Sequence, residues 1–340
     1  MRYLALLLAF ALTTAGATPR DARTQAVYDY LRGIWGKNII AGQADLTWKD
    51  SIDMAERVHD DTGKYPALMG YDFMNYYDAT EADGRHQTEE AIAWARKGGL
   101  VSFHWHWRMQ NGEFYTRKTP FKLPVEDWSD IDPAIDRIAL ELKRLQDAGV
   151  PVLWRPLHEA AGGWFWWGTS REGYIALWRH MHERLTHKHG LRNLIWVWNG
   201  QDPAWYPGDD VVDITGYDVY ENNYSEAYRK TRQHGKPVAL TETSHIPDPA
   251  QSAADGEWWL WFLVWNDSAG PAGVTSPTTS GPANTTTPTP TSAGSITTHA
   301  SSRWTACQSF ETRQRLTSST RRFLARPSSL PLSASGFSAP

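Results

Sequence analysis

Short apolar runs recur along the first 270 residues with amphipathic stretches between many of them. The runs are 38–43, 67–73, 100–107, 152–159, 194–199, 212–220, 237–243 and 259–266. They are apolar throughout instead of alternating, which predicts strands covered on both faces, as in a parallel sheet. Eight such strands with helices between them predict an α/β fold, a (β/α)8 TIM barrel. The intervening segments carry helix signals of their own. Asp132-Pro133 reads as a cap before a first-turn proline, and Ile135, Ile138, Leu142 and Leu145 follow at helical spacing. Thr169 to Glu172 reads as a capping box ahead of Tyr174, Trp178, Met181 and Leu185. A doubly wound sheet is the competing layout, but no glycine-rich phosphate loop follows the first run.

The two ends break this pattern. Arg2, the apolar run Leu4–Leu12 and Ala15-Gly16-Ala17 form a signal-peptide pattern over residues 1–17, too short to serve readily as a membrane span. The expected location is therefore outside the cytoplasm, extracellular or periplasmic. The lone cysteine, Cys307, excludes any disulfide within the chain, so residues 18–270 must be stabilised by their core. Residues 271–340 hold 28 Ser and Thr, 8 Pro, one acidic residue and no lysine, and periodicity disappears. That composition fits an irregular, Ser/Thr/Pro-rich disordered tail or a shift of reading frame near Gly270. The nucleotide sequence at that codon separates the two.

Composition narrows the chemistry. A net charge of −4 gives no basic surplus for nucleic acid. The 19 Trp and 14 Tyr exceed what a core of this size needs, which predicts aromatic side chains lining a cleft. In a barrel the site lies at the C-terminal ends of the strands. The polar residues there are Asp72, His104, His106, His158, Glu159, Tyr217, Asp218, Glu242 and Trp265. Glu159 and Glu242 stand on strands that face one another across the mouth, placed to flank one bond. Glu159 sits beside His158 and Trp164, where apolar walls favour the protonated acid. Glu242, between Thr241 and Thr243 and within reach of the Tyr217 hydroxyl, is expected to stay ionised as the nucleophile. His104 and His106 share a strand face and, with His158, offer a zinc reading. Hydrogen bonding is the plainer role, and no metal or cofactor is expected. Asp72 and Asp218 are expected to bond loop amides. Of Trp166 and Trp167 one is expected to stack sugar and the other to pack, and Trp196 and Trp198 share a face that would fill the barrel.

The stretches RPLHEAAGGWFWWG, VVDITGYDVY, PVALTETS, GKNIIAGQ and WWLWFLVWND resemble glycoside hydrolase family 26 over roughly residues 25–268. The resemblance implies a secreted, retaining glycosidase. It implies an endo-β-1,4-mannanase, with mixed-linkage β-glucan or β-xylan as the alternative substrates and a catalytically impaired carbohydrate-binding barrel as the alternative class. Its partner would be β-mannan or a related plant polysaccharide, and the chain would act as a monomer. By this resemblance Glu159 is the acid/base and Glu242 the nucleophile. His158 orients sugar or acid, Trp164 stacks on sugar, Tyr217 positions the nucleophile, and His106 and Trp265 contact the sugar next to the cleaved bond. The family's last loop and helix have no counterpart after Trp265.

Overall fold

The computed structural model describes residues 19–47, 53–76, 86–109, 112–221 and 223–265. The leader at 1–17 and the tail at 271–340 lie outside the described residues. Eight parallel strands close into a barrel in chain order: β1 (Ile40–Ala44), β2 (Leu68–Asp72), β3 (Leu100–His104), β4 (Val152–Arg155), β5 (Leu194–Trp198), β6 (Ile214–Val219), β7 (Val238–Thr243) and β8 (Trp261–Val264). β8 pairs with β1 from Ile40↔Trp261 to Gln43↔Val264, so no open edge remains. All eight predicted runs contain a strand, each shorter than its apolar stretch.

The helices are α1 (Ala22–Ile34), α2 (Met54–Thr62), α3 (Gln87–Arg96), α4 (Asp132–Asp147), α5 (Arg171–Glu183), α6 (Tyr224–Thr231) and α7 (Pro249–Ala254). None among the described residues is long and apolar enough to cross a membrane. α1 precedes the first strand. Its Leu31 and Ile34 share a cluster with Leu68, Leu153, Ile195 and Ile214, residues at the start of four strands, and so cover the barrel's N-terminal end. β5 and β6 are joined by a 3₁₀ turn, Pro203–Trp205, instead of a helix. Pro203 and Pro207 with Gly208 between the strands prevent a longer run of helix.

The apolar face predicted for α4 is buried as a set, Ile135, Ile138, Leu142 and Leu145. Its cap is not Asp132. The helix starts at that residue, and its carboxylate instead bonds His180 Nε2 at 2.6 Å and the Arg184 guanidinium at 2.5 Å. A charged cross-helix pair outcompetes a capping bond here because both partners are half-buried. On α5 the cap is Ser170, whose hydroxyl accepts from Gly173 N, while Thr169 Oγ1 accepts from Leu123 N. Trp196 and Trp198 point outward, Trp196 meeting Trp178 of α5 at 5.7 Å, so they do not fill the barrel.

The interior pairs large with small residues. Leu263 fills the space over two glycines: a Cβ on Gly70 would meet its Cδ2 at 2.8 Å, and one on Gly42 would meet Phe262 O at 2.7 Å. The second contact is with backbone, which cannot rotate away. Gly42→Ala should therefore destabilise the fold by about 1–3 kcal/mol through overpacking. Urea unfolding measures this, and an unchanged midpoint would contradict the packing argument.

Candidate active site

β4 carries Leu153 and Arg155 inward and Trp154 outward, the period-two alternation of a strand. Arg155 is therefore fully buried inside the barrel. One arm of its guanidinium donates to Asp218 Oδ2 at 3.0 Å, and the other bonds Glu242 Oε1. Asp218 also accepts from Thr241 Oγ1 at 2.7 Å, and Asn199 Nδ2 donates to that same hydroxyl. The second oxygen of Glu242 accepts from the Tyr220 hydroxyl at 2.5 Å.

Glu159 follows β4 in a left-handed conformation, φ 55° and ψ 29°, as does Leu157 at φ 54°. Left-handed non-glycine residues cost about 1–3 kcal/mol each and persist only where surroundings over-determine them. Here Glu159 N donates to Asn199 O at 2.7 Å, tying the turn to the end of β5. Gly162 and Gly163 then bring the chain back so that Trp164 Nε1 donates to Glu159 Oε2 at 2.9 Å. A Cβ on Gly162 would strike the Trp164 ring at 2.1 Å, so the glycine is what lets the indole lie there. Trp164 remains 43 % exposed, leaving a ring surface for a ligand. Gln201 Nε2 reaches Glu159 Oε1 at 3.4 Å from the end of β5.

One carboxylate oxygen from each of Glu159, Asp218 and Glu242 lies within 4.8 Å of the others. Their environments push them apart. Burial, then repulsion by Asp218 and Glu242, raises the Glu159 carboxyl well above the usual range. Burial also pushes Glu242 upward, but Arg155, His104 and the Tyr220 hydrogen bond outweigh it and leave it below the usual range. Asp218 rises to about 6 through burial and the charge of Glu242. The pair is thus a proton holder beside an anion, the division that acid–base work at one bond requires. This trio is also a set of oxygens able to hold a metal ion. Arg155 already sits on Asp218 and Glu242, and its fixed positive charge opposes a second cation there.

The other predicted residues fall as follows. His106 and His158 are buried side by side, Nε2 to Nε2 at 3.3 Å. The half-buried Trp265 ring lies 5.3 Å from that of His104 and 5.9 Å from that of His106. Tyr217 is misplaced by the prediction. Thr215, Tyr217 and Val219 face outward, with Thr215 Oγ1 bonded to Thr231 O of α6, while Asp218 and Tyr220 turn in. The hydroxyl on the nucleophile candidate is that of Tyr220. Strand parity was the available signal: an inward Asp218 forces Tyr217 out. Asp218 bonds Arg155 and not loop amides, and Arg155 itself was passed over within the WRPLHE run. Trp166 and Trp167 are both fully buried, their indoles donating to Trp107 O and His158 O, so neither offers a face to sugar. The zinc reading changes partner, since Asp72, not His158, joins His104 and His106 in a cluster with metal-ligand spacing.

A closed parallel barrel with two carboxylates of opposite disposition at its C-terminal mouth defines a glycosidase-type site. Residues 17–273 match glycosyl hydrolase family 26, and the chain belongs to that family. It is 44 % identical over 276 residues to a mannan endo-1,4-beta-mannosidase of Thermothelomyces thermophilus, covering 73 % of this chain and 56 % of that protein. It is 35 % identical to mannan endo-1,4-beta-mannosidase B of Piromyces sp, covering 71 % and 46 %. The chain thus spans about half the length of these two relatives. Its fold matches the Podospora anserina GH26-CBM35 beta-(1,4)-mannanase with a TM-score of 0.66 and 41 % identity, covering 73 % of this chain and 61 % of that one. It also matches a beta-mannanase from a protist symbiont of the termite Reticulitermes speratus, complexed with gluco-manno-oligosaccharide, at TM-score 0.65 and 30 % identity, covering 74 % and 87 %.

Removing Arg155 strands two buried carboxylates. Arg155→Met should cost about 3–5 kcal/mol at pH 7. The deficit should shrink toward pH 5, because Asp218 and Glu242, freed of the cation, take up protons more readily folded than unfolded, and acid then favours the folded state. Urea unfolding of both proteins at the two pH values checks this, and an equal deficit at both would contradict it.

Proposed function

We propose that this chain is the catalytic domain of an exported endo-β-1,4-mannanase that cleaves by double displacement with retention. The observation that carries the reading is the close approach of Glu159 and Glu242, with oxygens inside 4.8 Å and opposite protonation tendencies. Retaining glycosidases hold their carboxyl groups about 5–5.5 Å apart, whereas inverting ones leave about 6.5–9.5 Å for a water. Mannanase relatives, alignable over most of the barrel, support mannan as the substrate class. The leader pattern at residues 1–17 supports export.

In this reading Glu242 attacks the anomeric carbon while Glu159 gives its proton to the departing glycosidic oxygen. The C1–O bond breaks and an ester to Glu242 forms. Water, deprotonated by Glu159, then attacks C1 and releases Glu242. Arg155 and Tyr220 keep Glu242 anionic and aimed, and both can take up charge as the ester breaks. Trp164 offers its ring to a sugar beside the cleaved bond and its N–H to the acid, so substrate stacking and acid placement share one side chain.

Glu159→Ala and Glu242→Ala should each lower kcat on mannan by about 10²–10⁴-fold or more. Azide should restore turnover of Glu242→Ala on an aryl mannoside and yield the inverted glycosyl azide. Reducing-sugar release from mannan, β-glucan and xylan, compared side by side, should be greatest on mannan; normal turnover by Glu242→Ala would defeat the assignment. The rate profile should be bell-shaped. Its acid limb reports Glu242, which must be ionised, and its basic limb reports Glu159, which must be protonated, so the basic limb should lie above the ordinary glutamate range. A basic limb at the value of a free glutamate would contradict the acid assignment.

A further inference from the structure

Asp72 lies at the end of β2, fully buried, and takes no part in the mechanism above. Its Oδ1 accepts from Met74 N at 2.9 Å and from His106 N at 3.0 Å. An asparagine oxygen would serve those two amides equally well. What requires a carboxylate is the other oxygen, which faces only imidazoles: His106 Nδ1 at 2.6 Å and His104 Nε2 at 3.3 Å. An ionised carboxylate accepts and never donates, so it dictates where the protons on those rings sit.

We propose that Asp72 is a positioning residue that fixes the ring tautomer of His106 and, through it, that of His158, the neighbour of the acid/base. His106 must carry a proton on Nδ1 to bond Asp72. Its Nε2 faces His158 Nε2 at 3.3 Å, and one of the two must donate. His158 Nδ1 is buried with no partner, so a proton there would be a stranded donor. The His158 proton therefore belongs on Nε2, donated to a bare His106 Nε2. The result is a chain, His158 to His106 to Asp72, that links β4, β3 and β2 by hydrogen bonds of one direction.

Both protonation tendencies agree with this chain. Burial pushes Asp72 up, but the two histidines outweigh it and hold it far below the usual carboxylate range. Burial, then Arg155 and the other two histidines, holds His158 well below the usual imidazole range, leaving it neutral with a single N–H. The His158 ring packs 5.0 Å from Phe165 and 5.8 Å from Trp167, and its carbonyl accepts the Trp167 N–H at 2.8 Å. The ring whose tautomer is fixed thus lies between the two ends of the turn that carries Glu159 and Trp164.

Asp72→Asn breaks the direction without removing atoms. Its NH₂ would face His106 Nδ1, forcing that nitrogen to accept and its Nε2 to donate. His158 Nε2 must then accept and its proton moves to the partnerless Nδ1. Turning the amide over merely opposes two backbone N–H groups with a third donor.

The inference rests on the reading of Glu159 as acid/base, yet its test does not need turnover. Ring ¹⁵N–¹H correlation spectra of the full chain, assigned with His106 and His158 substitutions, should show His106 protonated on Nδ1 only and His158 on Nε2 only. In Asp72→Asn both should switch, and kcat on mannan should fall by about 10²-fold or more, since a wrong tautomer in a catalytic triad costs about 10⁴. KM should change by less than about threefold, the split expected when transition-state placement and not uniform binding is lost. The opposite tautomer of either ring in the wild-type protein would overturn the proposal, even if the variant fails to fold. So would unchanged tautomers in a folded Asp72→Asn, or a stoichiometric divalent metal bound to Asp72, His104 and His106. A wild-type protein that shows the expected tautomers but leaves mannan intact would sink the mannanase reading and leave the chain of protons standing.

Discussion

The site depends on a single buried cation. Arg155 stands inside the barrel with its two arms on Asp218 and Glu242, contributed by β6 and β7. A guanidinium taken out of water costs several kcal/mol, and its attraction to nearby carboxylates offsets that only when the geometry satisfies its donors. The closed barrel supplies the geometry. Strand parity sends Arg155 and Asp218 inward, and the β6–β7 register shift, from Tyr217↔Leu240 to Asp218↔Glu242, turns Glu242 in beside Thr241. One positive charge shared by two carboxylates leaves a net negative centre; burial first, and then that residual charge, push Glu159 across the mouth toward its protonated form. The nucleophile and the acid are therefore coupled through one cluster of charges, with burial adding to the rise of Glu159.

A second layer holds the acid in place. Glu159 accepts a strained backbone conformation because its N–H is fixed to β5 and its carboxyl is met by Trp164 and Gln201. Beneath it, His158 and His106 lead to Asp72. The ends of β2 to β7 thus each supply a group to the site, and the interior glycines Gly42 and Gly70 leave room for Leu263.

Much of this was legible in the sequence because barrel strands are apolar on both faces and short, so eight runs separated by amphipathic helices leave few topologies. Glu159 and Glu242 were legible because each ends such a run. What escaped depends on direction more than on identity. Tyr217 and Tyr220 are both tyrosines near one strand end, and only the parity set by Asp218 tells them apart. Arg155 was hidden in an apolar run because a lone cation there looks like a strand terminus until its partners on β6 and β7 are known. Asp132 has the residue type of a cap, but His180 and Arg184, some fifty positions away, claim its carboxylate. In each case a contact distant in sequence overrode a local signal.

The central claim is that Arg155 and Tyr220 hold Glu242 as the anion that forms a covalent bond to the sugar. Incubation with a 2-deoxy-2-fluoro-mannosyl fluoride, followed by proteolysis and mass spectrometry, tests it directly. The account predicts a single fluoromannosyl ester on Glu242, in the peptide spanning β7. An ester on Glu159 or Asp218, or rapid fluoride release with no trapped ester on a protein that cleaves mannan, would contradict it.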